Sequence, residues 1–218
     1  MENKIKGVID WYSTEESYAY MPEATNNGLK LWEKEVVQEH FQDKSYILDI
    51  GCGMGREAFA LYDMGHKIAA VDISEPIIMN AIKLAVQSGR KIDFSIINGL
   101  DLPFNNNTFD AVIIWAQTFG LLYGEKNKKH MLNECKRVLK TNGILSFSAH
   151  EREFEEKNYP QYLDGNKFWA YKECYWEVLS MDELSSFAEN AGLKVLNCQQ
   201  GQVYKPEDGT IIHCVCRK

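Results

Sequence analysis

Between Tyr46 and Asp72 the chain reads an apolar run, three alternate glycines, a helical pattern, a second apolar run and an aspartate. Tyr46 to Ile50 has the length and apolar character of a strand buried on both faces. Gly51, Gly53 and Gly55 follow without a break. Glycines let a backbone turn tightly and approach another group with no Cβ in the way. Arg56 to Asp63 then predicts a helix and Ile68 to Val71 a second buried strand, with Asp72 at its carboxyl end. Such a unit offers backbone amides to one part of a nucleoside-type ligand and a carboxylate to its ribose.

Two ligand classes use that arrangement. A dinucleotide site needs its third glycine where this chain has Arg56; here it comes one residue early, at Gly55. The spacing therefore disfavours a nicotinamide-dependent oxidoreductase. Asp49-Ile50-Gly51-Cys52-Gly53-Met54-Gly55 resembles instead the first motif of the class I S-adenosylmethionine-dependent methyltransferases. Two later stretches carry the same resemblance. Leu102-Pro103-Phe104, the polar turn Asn105 to Thr108, and Phe109-Asp110 are similar to family members that act on small molecules. Leu132 to Leu145 is similar to the family's helix, glycine turn and fifth strand.

The resemblance implies a Rossmann-like α/β fold, a three-layer sandwich around a seven-stranded, mostly parallel sheet with an antiparallel last strand. It implies one domain over residues 1–218, with an N-terminal helical lid over 1–42 and an aromatic-rich, substrate-side insertion after strand 5, at 150–180. The cofactor implied is S-adenosylmethionine, giving S-adenosylhomocysteine. Gly51, Cys52 and Gly53 would approach its methionine and ribose portion, and Asp49 would orient the loop or the amino group. Asp72 would accept from both ribose hydroxyls, and Ile73 would pack on the adenine. Asn98 stands where the family has an aspartate, and its amide oxygen could still accept from the adenine amino group. Gly99 and Leu100 would line the far edge, and the backbone carbonyl of Trp115 could accept from the ammonium. The acceptor would be an unidentified small molecule. A methyltransferase-like domain that only binds a partner or senses the cofactor is the alternative.

Candidates for a general base follow from position. His150 lies just past the fifth strand, on the edge where chemistry occurs in such sheets, and its ordinary pKa suits deprotonating a hydroxyl or amine. Tyr12 and Tyr123 are further candidates. The aromatics Trp11, Tyr12, Tyr18 and Tyr20 lie in an N-terminal stretch of irregular pattern. Tyr12 and Tyr20 suit either a lid or simple packing, whereas Trp32 suits packing.

Bulk properties bound the partners. The 218 residues are 45% hydrophobic and 25% charged, enough for a large core without staples. A net charge of −7 disfavours a nucleic-acid backbone as partner. The six cysteines include no C-x-x-C pair, as expected of buried thiols in a reducing compartment. No signal-peptide pattern and no run of membrane-spanning length is present, so a cytoplasmic location is expected. Neither the atom methylated nor the oligomeric state can be read from the chain.

Overall fold

The computed structural model describes residues 2–19, 21–171, 174–205 and 209–218. Tyr20 lies outside these, as do Pro206, Glu207 and Asp208, whose residue types suit a turn.

The central sheet is built from β1 (Tyr46–Ile50), β2 (Lys67–Asp72), β3 (Asp93–Ile96), β4 (Phe109–Ile114) and β5 (Leu139–Ala149). A small three-stranded sheet follows, with β6 (Leu163–Asp164), β7 (Lys167–Phe168) and β8 (Trp176–Glu177). The chain then returns to the main sheet as β9 (Lys194–Gln202) and β10 (Thr210–Arg217). The seven strands stand in the order β3-β2-β1-β4-β5-β10-β9. All pairings from β3 to β5 are parallel, while β10 runs antiparallel to both β5 and β9. This is the expected sheet with its final strand reversed.

Both faces of the sheet are covered, which is why β1 and β2 are mostly apolar. Leu48, Ala69 and Val112 point into a core with Met131, Leu132 and Cys135 of α7 (Glu125–Val138) and Leu184 and Ala188 of α9 (Met181–Asn190). Their neighbours Ile47, Ile68 and Ile113 point the opposite way. They meet α4 (Leu31–His40), α5 (Arg56–Asp63) and α6 (Glu75–Gln87) through Trp32, Val36, Leu61 and Ile78. That side-to-side alternation makes the three layers.

Several sequence expectations shift locally. The N-terminal stretch is helical despite its irregular pattern: α1 (Glu2–Tyr12), α2 (Glu15–Tyr18) and α3 (Met21–Ala24). Ser74 does not cap α6 with its side chain; its hydroxyl donates to the Tyr12 carbonyl at 2.7 Å, tying α1 to the sheet edge. In the stretch Leu132 to Leu145 the helix α7 ends at Val138, and Thr141-Asn142-Gly143 form an irregularity inside β5, not a turn before it, with Asn142 at φ 63°. The capping box at Ser180 and Glu183 forms as the sequence indicates. All six cysteines are free, and Cys198 alone of them is not fully buried. No helix among the described residues is long and apolar enough to cross a membrane.

His213 on β10 is 1% exposed and stacks on Trp32 with ring centroids 4.6 Å apart. Neither ring nitrogen has a hydrogen-bond partner among the described residues. Burial, with His40 adding to it, pushes its pKa down to about 4. The unfolded chain therefore takes up this proton near pH 6.5 while the folded protein does not, so stability is lost as pH falls from about 6.5 to 4. The loss from this one group approaches about 3 kcal/mol. Asp49, Asp72 and Glu57, whose pKa values burial pushes up, slope the other way. Chemical denaturation of the wild type and His213→Phe at pH 7.5 and pH 4.5 isolates the histidine. The wild type should lose more stability than the variant between the two pH values, by about 2–3 kcal/mol.

Candidate functional site

At the carboxyl edge of the parallel strands lies a cavity of about 340 Å³. Its floor is Ile50 to Met54, Asp72 and Ile73, Gly99 and Leu100, and Ala116 to Thr118. The N-terminal helices close one side with Val8, Tyr12 and Met21, and His150 and Trp176 close another.

The glycine turn forms because β1 ends against β2. The N–H groups of Gly51 and Cys52 both donate to the Val71 carbonyl, at 2.8 and 3.1 Å. Gly51, Gly53 and Gly55 have φ of 73°, 53° and 95°, which other residues adopt at a cost. A Cβ on Gly51 would lie 2.3 Å from Thr118 Cγ2, so the 3₁₀ turn after β4 occupies that space. At Gly53 the nearest atom would be Met21 Sδ, at 3.8 Å. Gly55 is the N-cap of α5.

Asp72 joins this turn to the next helix. Its Oδ2 accepts from the Gly53 N–H and its Oδ1 from the Ser74 N–H, each at 3.0 Å. Burial raises its pKa, and the backbone N–H groups of Ser74, Gly53 and Ile73 oppose that rise. A carboxylate oxygen has more than one lone pair, so each can accept again.

The surrounding charge is unbalanced. Arg56 binds Glu33 through two 2.7 Å contacts, donates to the Gly28 carbonyl at 2.8 Å, and pairs with Glu57. Burial opposes the charge on Arg56, but Glu57 and Glu33 hold its pKa above the usual range. Asp49, 2% exposed, lies behind the wall. Burial, reinforced by the charge of Glu57, pushes its carboxyl well above the ordinary value, and its Oδ2 has no partner among the described residues. Near Asp49 and Asp72, then, stand two more carboxylates, Glu33 and Glu57, against Arg56 and Lys30, whose pKa burial lowers. Carboxyl groups outnumber basic ones there, four to two. A cation with a pair of hydroxyls on an apolar body would satisfy what these residues leave open. S-adenosylmethionine has those groups, and Ile73, Ile97 and Leu100 give the wall an apolar side for its base. The residues fit that cofactor.

The expected site residues divide. Gly51, Cys52, Gly53, Asp72, Ile73, Gly99, Leu100, Tyr12 and His150 all line the cavity. Asn98 is exposed and does not; its amide oxygen accepts from the Leu100 and Asp101 N–H groups at 2.9 Å, shaping the loop instead. Trp115 is in the core, 1% exposed, with its Nε1 donating to Ser146 Oγ at 2.8 Å and its carbonyl accepting from the Thr118 N–H. The cavity at that strand end is lined by Ala116 and Gln117, both at positive φ of 49° and 61°. Tyr123 stays outside the wall, donating to the Tyr175 carbonyl at 2.7 Å, and burial drives its pKa far up. Glu134 and Arg137 of α7 pair and also clamp the Leu102 to Asn106 loop.

Three contributions were missed in the sequence. Glu57 and Glu33 carry no local signal beyond being helical. Gln117 gave none either, because a strained turn of non-glycine residues has no composition mark. Met21 and Thr25 line the cavity from a segment whose helical pattern is weak.

Residues 47–143 match the family model described as a methyltransferase domain. The ubiquinone/menaquinone biosynthesis C-methyltransferase UbiE of Rickettsia felis is 31% identical, over 90% of this chain and 86% of that one. Demethylmenaquinone methyltransferase of Symbiobacterium thermophilum is 33% identical over 59% of this chain and 52% of its own length. The chain spans about half the length of several curated relatives, between 44% and 58%. A solved S-adenosylmethionine-dependent methyltransferase from Methanosarcina mazei has the same fold, with a TM-score of 0.74 at 20% identity over 84% of this chain and 96% of that one.

Asp72→Ala should weaken S-adenosylhomocysteine binding at least tenfold by calorimetry, since it removes the acceptor and loosens both Gly53 and Ser74. Asp72→Asn keeps the size and should weaken it less. Equal affinity in all three proteins would show that this carboxylate does not touch the ligand.

Proposed function

This chain belongs to the class I S-adenosylmethionine-dependent methyltransferases, and on that premise we propose that it methylates an apolar, ring-shaped small molecule. The observation that carries this reading is that one cavity is lined by two unlike sets of residues. Its wall includes Gly53 and Asp72, and it also includes the apolar or aromatic Val8, Tyr12, Leu121, Leu122 and Trp176, with His150 and Asn127 as further polar members. Relatives named for ubiquinone and menaquinone biosynthesis support an acceptor of that character. The net charge of −7 favours such an acceptor over a nucleic acid. Strands of the main sheet are drawn from Tyr46 to Arg217, which supports reading residues 1–218 as one domain.

When bound, S-adenosylmethionine supplies a methyl group already activated by a positive sulfur. The protein's own work is therefore grip, exclusion and aim. Asp72 would hold the hydroxyl pair, with the Gly53 and Ser74 N–H groups fixing its two oxygens. Asp49, Glu57 and Glu33 would set a negative potential for a cationic ligand. Tyr12 and Met21 would shed water from one side, Trp176 from another. Fixing an acceptor between those walls can account for about 7–11 kcal/mol of a bimolecular barrier.

A turnover screen reading S-adenosylhomocysteine tests this, with hydroxylated and quinone-type rings set against sugars and free amino acids. Rings should turn over, and Trp176→Ala should raise KM for the best ring about tenfold. Turnover confined to the hydrophilic set would overturn the acceptor class.

A further inference from the structure

His150 does not stand alone. Its Nδ1 lies 2.9 Å from Oε1 of Glu155 on α8 (Arg152–Asn158), and Glu155 is 4% exposed. The other carboxylate oxygen of Glu155 is buried and has no partner among the described residues. No lysine or arginine pairs with it among the described residues; Arg152, on the same helix, turns to Glu183 instead. A carboxylate buried this way is costly unless its charge has work to do. Here the work is on the histidine. A carboxylate at Nδ1 fixes the ring with its proton on that nitrogen and leaves Nε2 as the acceptor. Nε2 makes no hydrogen bond to any described residue, and the ring lines the cavity.

The mount is rigid. The His150 carbonyl accepts from the Leu179 N–H at 3.1 Å, the Arg152 N–H donates to the Leu179 carbonyl at 2.9 Å, and the Glu155 N–H donates to the Glu151 carbonyl at 3.1 Å. Glu151 is held in turn by Gln200 through both its oxygens. Phe168 and Trp176 lie beside the imidazole, with ring centroids 5.5 and 5.6 Å away. Of the two, Trp176 lines the cavity, and an aromatic wall favours a flat acceptor.

Resting on the methyltransferase reading above, we propose that His150 is a catalytic base positioned by Glu155, and that the acceptor group is a ring hydroxyl. The acceptor's O–H bond breaks and its proton goes to His150 Nε2. The oxygen's electron pair forms the bond to the methyl carbon, and the electrons of the carbon–sulfur bond stay on sulfur. The products are a methyl ether, a neutral thioether and an imidazolium facing Glu155, which then yields its proton to water. Other charged groups near the ring are already committed. Glu177, next to Trp176, is paired with Lys128 and the Gly124 N–H, Lys167, next to Phe168, lies over the Tyr175 ring, and Glu151 is bound to Gln200.

The test uses the full chain and two readouts that need no turnover. Long-range proton–nitrogen NMR should find His150 of the ligand-free wild type with its proton on Nδ1. Glu155→Asp should keep that form and Glu155→Gln should lose it. In the second readout, 4-nitrophenol is titrated into protein saturated with S-adenosylhomocysteine, and the yellow phenolate is followed against pH. The wild type should bind it as phenolate and lower its ionisation midpoint by about one pH unit. His150→Gln and Glu155→Gln should abolish the shift, and Glu155→Asp should restore part of it. An unchanged tautomer and midpoint in Glu155→Gln would overturn the proposal, as would a wild type that binds nitrophenol only in its protonated form or not at all. Calorimetry with S-adenosylhomocysteine separates the two readings. If the wild type fails to bind it, the methyltransferase reading falls; if it binds and nitrophenol stays protonated, only the dyad falls.

Discussion

The carboxylate of Asp72 is the joint on which the site depends. It ends β2, and its two oxygens take one N–H from the glycine turn after β1 and one from the start of α6. Two adjacent strands and the helices they feed are thereby fixed at one point. The joint is buried, so the charge is costly by itself and is tolerable only with donors already aimed at it. Ser74 extends the same joint outward, since its hydroxyl reaches the last residue of α1. The helix α1 is thus hung from the residue pair that shapes the floor.

Around that joint the protein concentrates negative charge and gives it only partial compensation. Arg56 satisfies Glu33 and Glu57 and stitches α4 and α5 together with the Gly28 carbonyl. Asp49 is left with a buried oxygen and no partner among the described residues. A stability argument alone would favour an apolar residue there. The imbalance makes sense for a chamber that receives a positive ligand, where the missing countercharge arrives with the guest. Other residues of the lining follow a different logic: Tyr12 and Trp176 are aromatic, and the His150 ring is met from behind by Glu155. At the β4 terminus Ala116 and Gln117 hold a strained turn in the same lining.

Much of this was readable from local pattern. The strand and helix limits around Asp49 to Asp72 fall within a residue of the expected ones, because glycine and buried apolar runs are strong, short-range signals. The capping box at Ser180 was equally plain, since it needs only two residues three apart. Asn98 and Trp115 show the opposite case. Counting from Leu102 put Asn98 on the wall, yet its amide oxygen is spent on the two N–H groups that follow it, as short polar side chains in loops commonly do. For Trp115 only the backbone carbonyl was expected to face the ligand; that carbonyl accepts from the Thr118 N–H, and the side chain packs on the face shared with Trp32 and Phe41. The contribution of Glu155 was invisible, because a glutamate on an exposed-looking acidic helix reads the same whether its neighbour in space is water or His150.

The amino-acid order by itself determined the layered sheet, the glycine turn and the acid that faces it, since each rests on period, backbone freedom or a fixed offset along the chain. Only the tertiary structure decided which residues share the chamber. It brought Glu33, Glu57 and Asp49 together from three separate elements, closed Thr118 over Gly51, and set Glu155 behind His150. Those relations arise from burial, which makes each charge answer to its neighbours in space, and burial belongs to the folded chain as a whole.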